Sequence, residues 1–133
     1  VGSLALDASV AIALFTATDA HHHRALTDLE TAFDRSDALL LAASAYSEIM
    51  VHAAREGEGE LVDRFVDRLA IEIVPIDRAI GRGAAILRAA NRSLRLPDAL
   101  VVATAQARRA PLLSFDARVV RLACELELAL PQS

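Results

Sequence analysis

Asp7, Glu48, Asp98 and Asp116 are the residues of this chain whose types and positions could do chemistry together. Asp7 ends the apolar run Leu4-Ala5-Leu6, which reads as a buried strand, and passes at once into the helical pattern Val10 to Phe15. Glu48 lies in the first turn of the helix expected after the apolar run Ala38 to Ala42. Asp98 follows Pro97 at the mouth of an almost wholly apolar helix, and Asp116 ends the run Pro111 to Phe115. In open parallel α/β sheets ligands bind outside the carboxyl ends of the strands, so acids delivered there are candidates for one shared site. Each also has a structural alternative. Asp is a favoured helix N-cap, and a Glu in a first turn interacts favourably with the positive end of the helix dipole. Asp77, at a third strand-to-helix junction, is assigned to capping alone.

Several carboxylates within a few ångströms repel one another and raise at least one pKa unless a counter-charge is present. All fourteen basic residues are Arg and none is Lys, and among the Arg only Arg118 is close in sequence to Asp7, Glu48 or Asp116. A divalent cation is the economical counter-charge. An all-oxygen donor set without Cys or a suitable His favours Mg²⁺, with Mn²⁺ as a substitute, over Zn²⁺. Held by few carboxylates, such an ion activates water and stabilises in-line displacement at phosphorus. The run His21-His22-His23 offers no rival site, because successive helical residues point about 100° apart. It is expected to be a solvated first turn.

The elements that must position these acids alternate. Strands expected at 4–6, 38–42, 71–76, 111–115 and 126–130 are separated by helical patterns, which indicates a three-layer α/β/α fold with helices on both faces of a parallel sheet. Right-handed crossovers then favour the strand order 3-2-1-4-5. Strand one is central in that order, so Asp7 and Asp116 leave neighbouring strand ends. Asp19 and Ser44 are read as N-caps, and Gly81 and Gly83 as marks of close helix packing.

The 133 residues fit one domain, 1–133, large enough for a core without disulfides. Apolar runs are broken by charge before membrane-spanning length, no signal-peptide layout opens the chain, and the single Cys124 suits a reducing compartment, so a cytoplasmic location is expected. Cys124 and the four Phe are expected in the core. Residues 1–70 hold five Arg against twelve acids, net −7, and 71–133 hold nine Arg against six acids, net +3. Arg78, Arg82, Arg88, Arg92 and Arg95 form an arc that is either a solvated face or a phosphate contact. Lysine-dependent chemistry is excluded. That removes P-loop nucleotide hydrolysis, phosphoacceptor receiver domains and haloacid-dehalogenase-like phosphatases.

On Leu6-Asp7-Ala8-Ser9, Ser47-Glu48-Ile49, Leu94-Arg95-Leu96-Pro97-Asp98-Ala99-Leu100 and Leu113-Ser114-Phe115-Asp116, in this order, the chain resembles a PIN-domain ribonuclease, specifically the VapC-type toxin of a bacterial VapBC toxin–antitoxin pair. The resemblance implies a Mg²⁺- or Mn²⁺-dependent endoribonuclease that hydrolyses RNA phosphodiester bonds. It implies that Asp7, Glu48, Asp98 and Asp116 form the metal-holding acidic pocket, with Ser9 and Ser114 as supporting hydroxyls; Ser114 stands where Thr is more common. It further implies a homodimer inhibited by a cognate VapB-type antitoxin. The antitoxin's tail is expected on Tyr46 to Ala54 and on the helix carrying Leu61, Phe65 and Leu69. The competing reading is a non-catalytic PIN-like module that binds RNA or protein.

Overall fold

The apolar runs become strands β1 (Ser3–Leu6), β2 (Ala38–Ala42), β3 (Glu72–Val74) and β4 (Leu112–Leu113), paired in parallel in the order β3-β2-β1-β4 in a computed structural model that describes residues 2–130. Helices α1 (Ala8–Phe15), α2 (His22–Asp34), α3 (Ala43–Arg55), α4 (Gly59–Arg68), α5 (Arg78–Ala90), α6 (Leu96–Arg108) and α7 (Ala117–Glu125) complete a three-layer α/β/α arrangement. Leu39, Leu40 and Leu41 are all buried, as expected of a strand covered on both faces. Leu6 pairs with Leu41 on one side and Leu113 on the other, so β1 is central and its carboxyl end is flanked by those of β2 and β4.

The segment expected as a fifth strand does not form one. Leu128 accepts a backbone hydrogen bond from Leu112 at 2.8 Å, but its own N–H is spent on Ala123 at 2.7 Å, closing the end of α7. A ladder cannot continue from a donor already used, and the sheet order stops at β4.

Helix α6 runs through the core with Ala99, Val102 and Ala105 wholly buried. Its one buried hydroxyl, Thr104, is satisfied by the Leu100 carbonyl at 2.8 Å. Neither glycine of α5 is required by crowding: a Cβ at Gly83 would meet Ala103 at an ordinary 3.6 Å, and one at Gly81 would meet nothing within 4 Å. Asp77 caps α5 by accepting from the Ile80 N–H at 2.9 Å. Asp19 binds the His21 N–H at 2.8 Å, shaping the turn before α2 rather than capping it. Ser44 is no cap either. Helix α3 starts at Ala43, two residues earlier than a Ser44 cap requires, and the Ser44 hydroxyl is buried with no partner among the described residues.

Cys124 is exposed, because Val119, Leu122 and Ala123 take the inward face of α7 and turn residue 124 out with Val120. The Phe residues are also less buried than expected: Phe33 is exposed, and Phe15, Phe65 and Phe115 are half-buried. Among the described residues no helix is long and apolar enough to cross a membrane.

Candidate active site

Asp7 is delivered by the end of β1, where its N–H donates to the Leu113 carbonyl at 2.9 Å and locks it to β4. Its side chain is buried, at 4% residue exposure. One carboxylate oxygen accepts from the Ala8 N–H at 2.8 Å, as an N-cap does. The other accepts from two hydroxyls, Ser114 at 2.6 Å and Ser9 at 3.3 Å. Capping and site membership are therefore not alternatives here, since the two oxygens face different partners. Burial pushes the Asp7 carboxyl above its ordinary range; the hydrogen bonds from Ser114, Ala8 and Ser9 oppose this without cancelling it, and the Asp98 charge adds to it.

Glu48 stands half-buried on α3. Because α3 begins at Ala43, Glu48 lies in the second turn rather than the first, which removes most of the dipole argument for its presence. Partial burial pushes its carboxyl up, the charges of Asp7 and Asp98 push it further, and Arg95 pulls it back. Asp98 is buried in the first turn of α6, fixed there by the apolar helix behind it. Arg95 reaches its carboxylate at 3.4 Å. Sequence reasoning placed this arginine, the cap residue of α6, in the wider Arg arc and missed its pairing with Asp98 three residues on. Its side chain is 65% exposed, so solvent screens much of the charge it brings.

Asp116 is placed differently. Its carboxylate caps α7, accepting from the Arg118 N–H at 2.9 Å and the Val119 N–H at 3.4 Å, with the Arg118 guanidinium at 4.0 Å. It meets the other acids through Ser114, whose hydroxyl accepts the Asp116 N–H at 3.0 Å while donating to Asp7. The structure thus brings Asp7, Glu48 and Asp98 within each other's fields and joins Asp116 to them by one hydroxyl.

Among the described residues no three acids, histidines or cysteines converge closely enough to hold a metal ion in this arrangement. The donor chemistry nevertheless fits a hard divalent cation. The donors are all oxygen, Asp7 and Glu48 are pushed up by burial and by neighbouring negative charge, and the Arg95 guanidinium beside Asp98 is exposed.

The histidine run is less bland than its sequence suggests. The His22 ring bonds the Ala13 carbonyl at 2.7 Å, tying α2 to α1. The His21 ring stacks on Phe115, the residue between Ser114 and Asp116, with centroids 4.7 Å apart and planes 23° apart. The only sequence signal for this was an aromatic residue immediately before a strand-end acid.

The PIN domain family profile matches residues 4–124. The chain belongs to the PIN domain family. Among curated proteins its sequence has no match. Solved structures similar to this PIN domain include a toxin–antitoxin complex from Klebsiella pneumoniae, at TM-score 0.72 and 22% identity over 97% of each chain. A second is the VapC20 toxin of Mycobacterium tuberculosis, described as cleaving the sarcin-ricin loop, at TM-score 0.71 and 15% identity over 90% of this chain and 95% of that one. A third is VapBC2 of Rickettsia felis bound to a promoter DNA fragment, at TM-score 0.71 and 13% identity over 96% of this chain and 95% of that one. At such identities the likeness is one of fold.

Proposed function

We propose that this PIN domain protein is a Mg²⁺- or Mn²⁺-dependent endoribonuclease, the VapC-type toxin of a toxin–antitoxin pair, acting as a single domain in the cytoplasm. The observation that carries the reading is the gathering of Asp7, Glu48 and Asp98 at one sheet end, with Asp7 and Glu48 both pushed up by burial and neighbouring negative charge. A fold without a ligand to bind gains nothing from burying such a set. Support also comes from the similar structures, which include a sarcin-ricin-loop-cleaving toxin and two toxin–antitoxin assemblies.

In this reading Asp7 and Asp98 are the principal cation-holding residues, and Glu48 and Asp116 complete the acidic wall. A bound divalent cation supplies nucleophile activation and charge neutralisation at the scissile phosphate. Ser114 and Ser9 favour the ionised form of Asp7 and orient it by donating to one of its oxygens. Glu48, with its raised proton affinity and partial exposure, is the group suited to take a proton from attacking water. Arg95 restrains Asp98 and offers a charge toward the RNA backbone.

The partner in this reading is an antitoxin whose amphipathic carboxyl-terminal segment lies in the apolar groove between α1, α3 and α4. That groove has a volume of about 300 Å³ and is lined by Ile12, Phe15, Ile49, Ala53, Leu61 and Phe65. A basic residue at the end of the segment would pair with the carboxylates in place of the cation.

The test is cleavage of single-stranded RNA by the purified chain with Mg²⁺, Mn²⁺ or chelator. Metal-dependent cutting that disappears in Asp7→Asn and Asp98→Asn is the expected result. RNA binding without cutting under every metal condition would instead establish a non-catalytic module.

A further inference from the structure

Phe115 is the residue on which this inference turns. Its N–H donates to the Ser9 hydroxyl at 3.1 Å, and that hydroxyl in turn donates to Asp7, so the Phe115 backbone is held two hydrogen bonds from the acidic group. The ring is half-buried and packs on polar groups: the His21 imidazole in a near-parallel stack, and the Arg24 guanidinium at 5.4 Å from its centroid. His21 and Arg24 are both exposed, one turn apart at the start of α2. Among the described residues Arg24 forms no salt bridge, unlike Arg64, Arg95, Arg108 and Arg118. The support beneath His21 is rigid. Asp19 holds its N–H at 2.8 Å, and the next residue's ring is tied to α1.

A polyanion approaching carboxylates in a chain of net charge −4 needs local positive charge and a contact that does not depend on charge. Proteins that hold single strands combine both, with bases stacked on aromatic, His or Arg planes and cations along the backbone. We propose that His21, Arg24 and Phe115 form a nucleotide platform beside Asp7: a base of single-stranded RNA stacks on the outer face of the His21 imidazole, and its phosphate pairs with Arg24. This rests on the nuclease reading and names part of its substrate contact. Phe115 is the positioning residue beneath, fixing the imidazole plane.

The experiment uses the Asp7→Asn chain, expected to bind without cutting, and a short mixed-sequence fluorescent oligoribonucleotide read by anisotropy. His21→Ala and Arg24→Ala are each expected to weaken binding about tenfold, whereas His21→Phe, which keeps a ring, binds like its parent. With the same oligonucleotide annealed into a duplex, whose bases are closed, His21→Ala is expected to change nothing. Both exposed positions tolerate substitution without loss of fold, and circular dichroism checks this. Equal binding by the His21→Ala and His21→Phe proteins, or an equal loss on single strand and duplex, overturns the platform. Unchanged RNA binding in all variants, as a protein-docking role for this patch predicts, overturns it too. Metal-dependent cleavage by the unmutated chain separates the two readings. Cleavage with an unchanged KM when His21→Ala is the sole substitution overturns the platform alone, while absence of both RNA binding and cleavage in the unmutated chain overturns both.

Discussion

The Ser114 hydroxyl donates a 2.6 Å hydrogen bond to the Asp7 carboxylate across 107 residues of sequence. Ser9 makes the matching contact from the other side, and each hydroxyl also accepts a backbone N–H from the β4 exit, Asp116 for Ser114 and Phe115 for Ser9. Two serines therefore stitch the ends of β1 and β4 together through the acid that both strands present. The hydroxyl, rather than the strand pairing alone, sets the direction of the Asp7 oxygens.

Removing that hydroxyl has a defined consequence. Ser114→Ala takes away the strongest influence that lowers the Asp7 pKa, and a hydrogen bond to a charged group contributes about 1.5–3 kcal/mol. The expected loss in kcat/KM is at least about tenfold, with the acid limb of the pH–rate profile moved to higher pH. Ser114→Thr, which keeps the hydroxyl, should retain activity. Equal activity in the Ala and Thr variants would show that Asp7 does not need this donor.

Asp7 should also limit stability at neutral pH in the metal-free protein. Its carboxyl is held above the unfolded value of 3.8, so the folded chain binds that proton more tightly than the unfolded chain. The cost of burying the charge is fully present above the folded pKa and fades as pH falls through it toward the unfolded value. Asp7→Asn, nearly isosteric and uncharged, should therefore melt at or above the wild-type temperature at pH 7 in chelator, with the difference shrinking as pH is lowered toward the unfolded value. A variant markedly less stable than wild type at pH 7 would mean that the charge is satisfied in the apo protein.

Cation binding should stabilise the fold by mass action. A ligand that binds only the native state contributes about 2.7 kcal/mol at a hundred times its Kd. Millimolar Mg²⁺ or Mn²⁺ is expected to raise Tm, and Asp98→Ala to reduce the rise. Melts that coincide with and without metal, together with activity that survives chelator, would exclude the metal mechanism.

The fold and its central strand were legible because Leu39 to Leu41 and Leu4 to Leu6 are too apolar to be anything but buried strands, and the helices between them allow little besides a parallel sheet. The fifth strand was not, because its pattern of alternating Leu is also what packs a C-terminal segment against α7. Whether the Leu128 N–H turns to Ala123 or to a neighbouring strand is a tertiary outcome. Asp7 and Asp116 were singled out by their position at strand ends, Glu48 and Asp98 by their position near helix starts. The Arg95–Asp98 pair and the His21–Phe115 stack were missed for different reasons. The first was a local spacing overlooked in favour of the wider Arg arc. The second joins residues 94 positions apart, where no periodicity applies.

Asp77 and Asp116 cap helices in the same way but should answer mutation differently. Asp77→Ala removes the bond to the Ile80 N–H and is expected to cost about 1 kcal/mol in denaturant unfolding while leaving cleavage intact. Asp116→Asn keeps a good capping side chain for α7 but removes the negative charge at the exit of β4, so stability should hold while cleavage falls. Full activity in Asp116→Asn would reduce Asp116 to a cap.

The last prediction concerns the proposed antitoxin. The groove between α1, α3 and α4 has at its base Phe15 and Phe65, packed edge to face with centroids 4.4 Å apart, and Leu61 on its rim is 56% exposed. Two residues expected to contribute do not line it: the Tyr46 hydroxyl is turned to Asp63, and Leu69 lies outside the lining. An apolar segment seated there would cover Leu61, and fully burying a Leu side chain contributes about 1.5–3 kcal/mol. Leu61→Asp is therefore expected to weaken antitoxin binding about thirtyfold or more, without changing RNA cleavage by the free chain. The position is exposed, so the fold is unaffected. Hydrogen exchange on the complex should show protection at Phe15, Ile49 and Phe65. Protection confined to α5, with wild-type affinity in Leu61→Asp, would remove the antitoxin from this groove and leave the nuclease reading untouched.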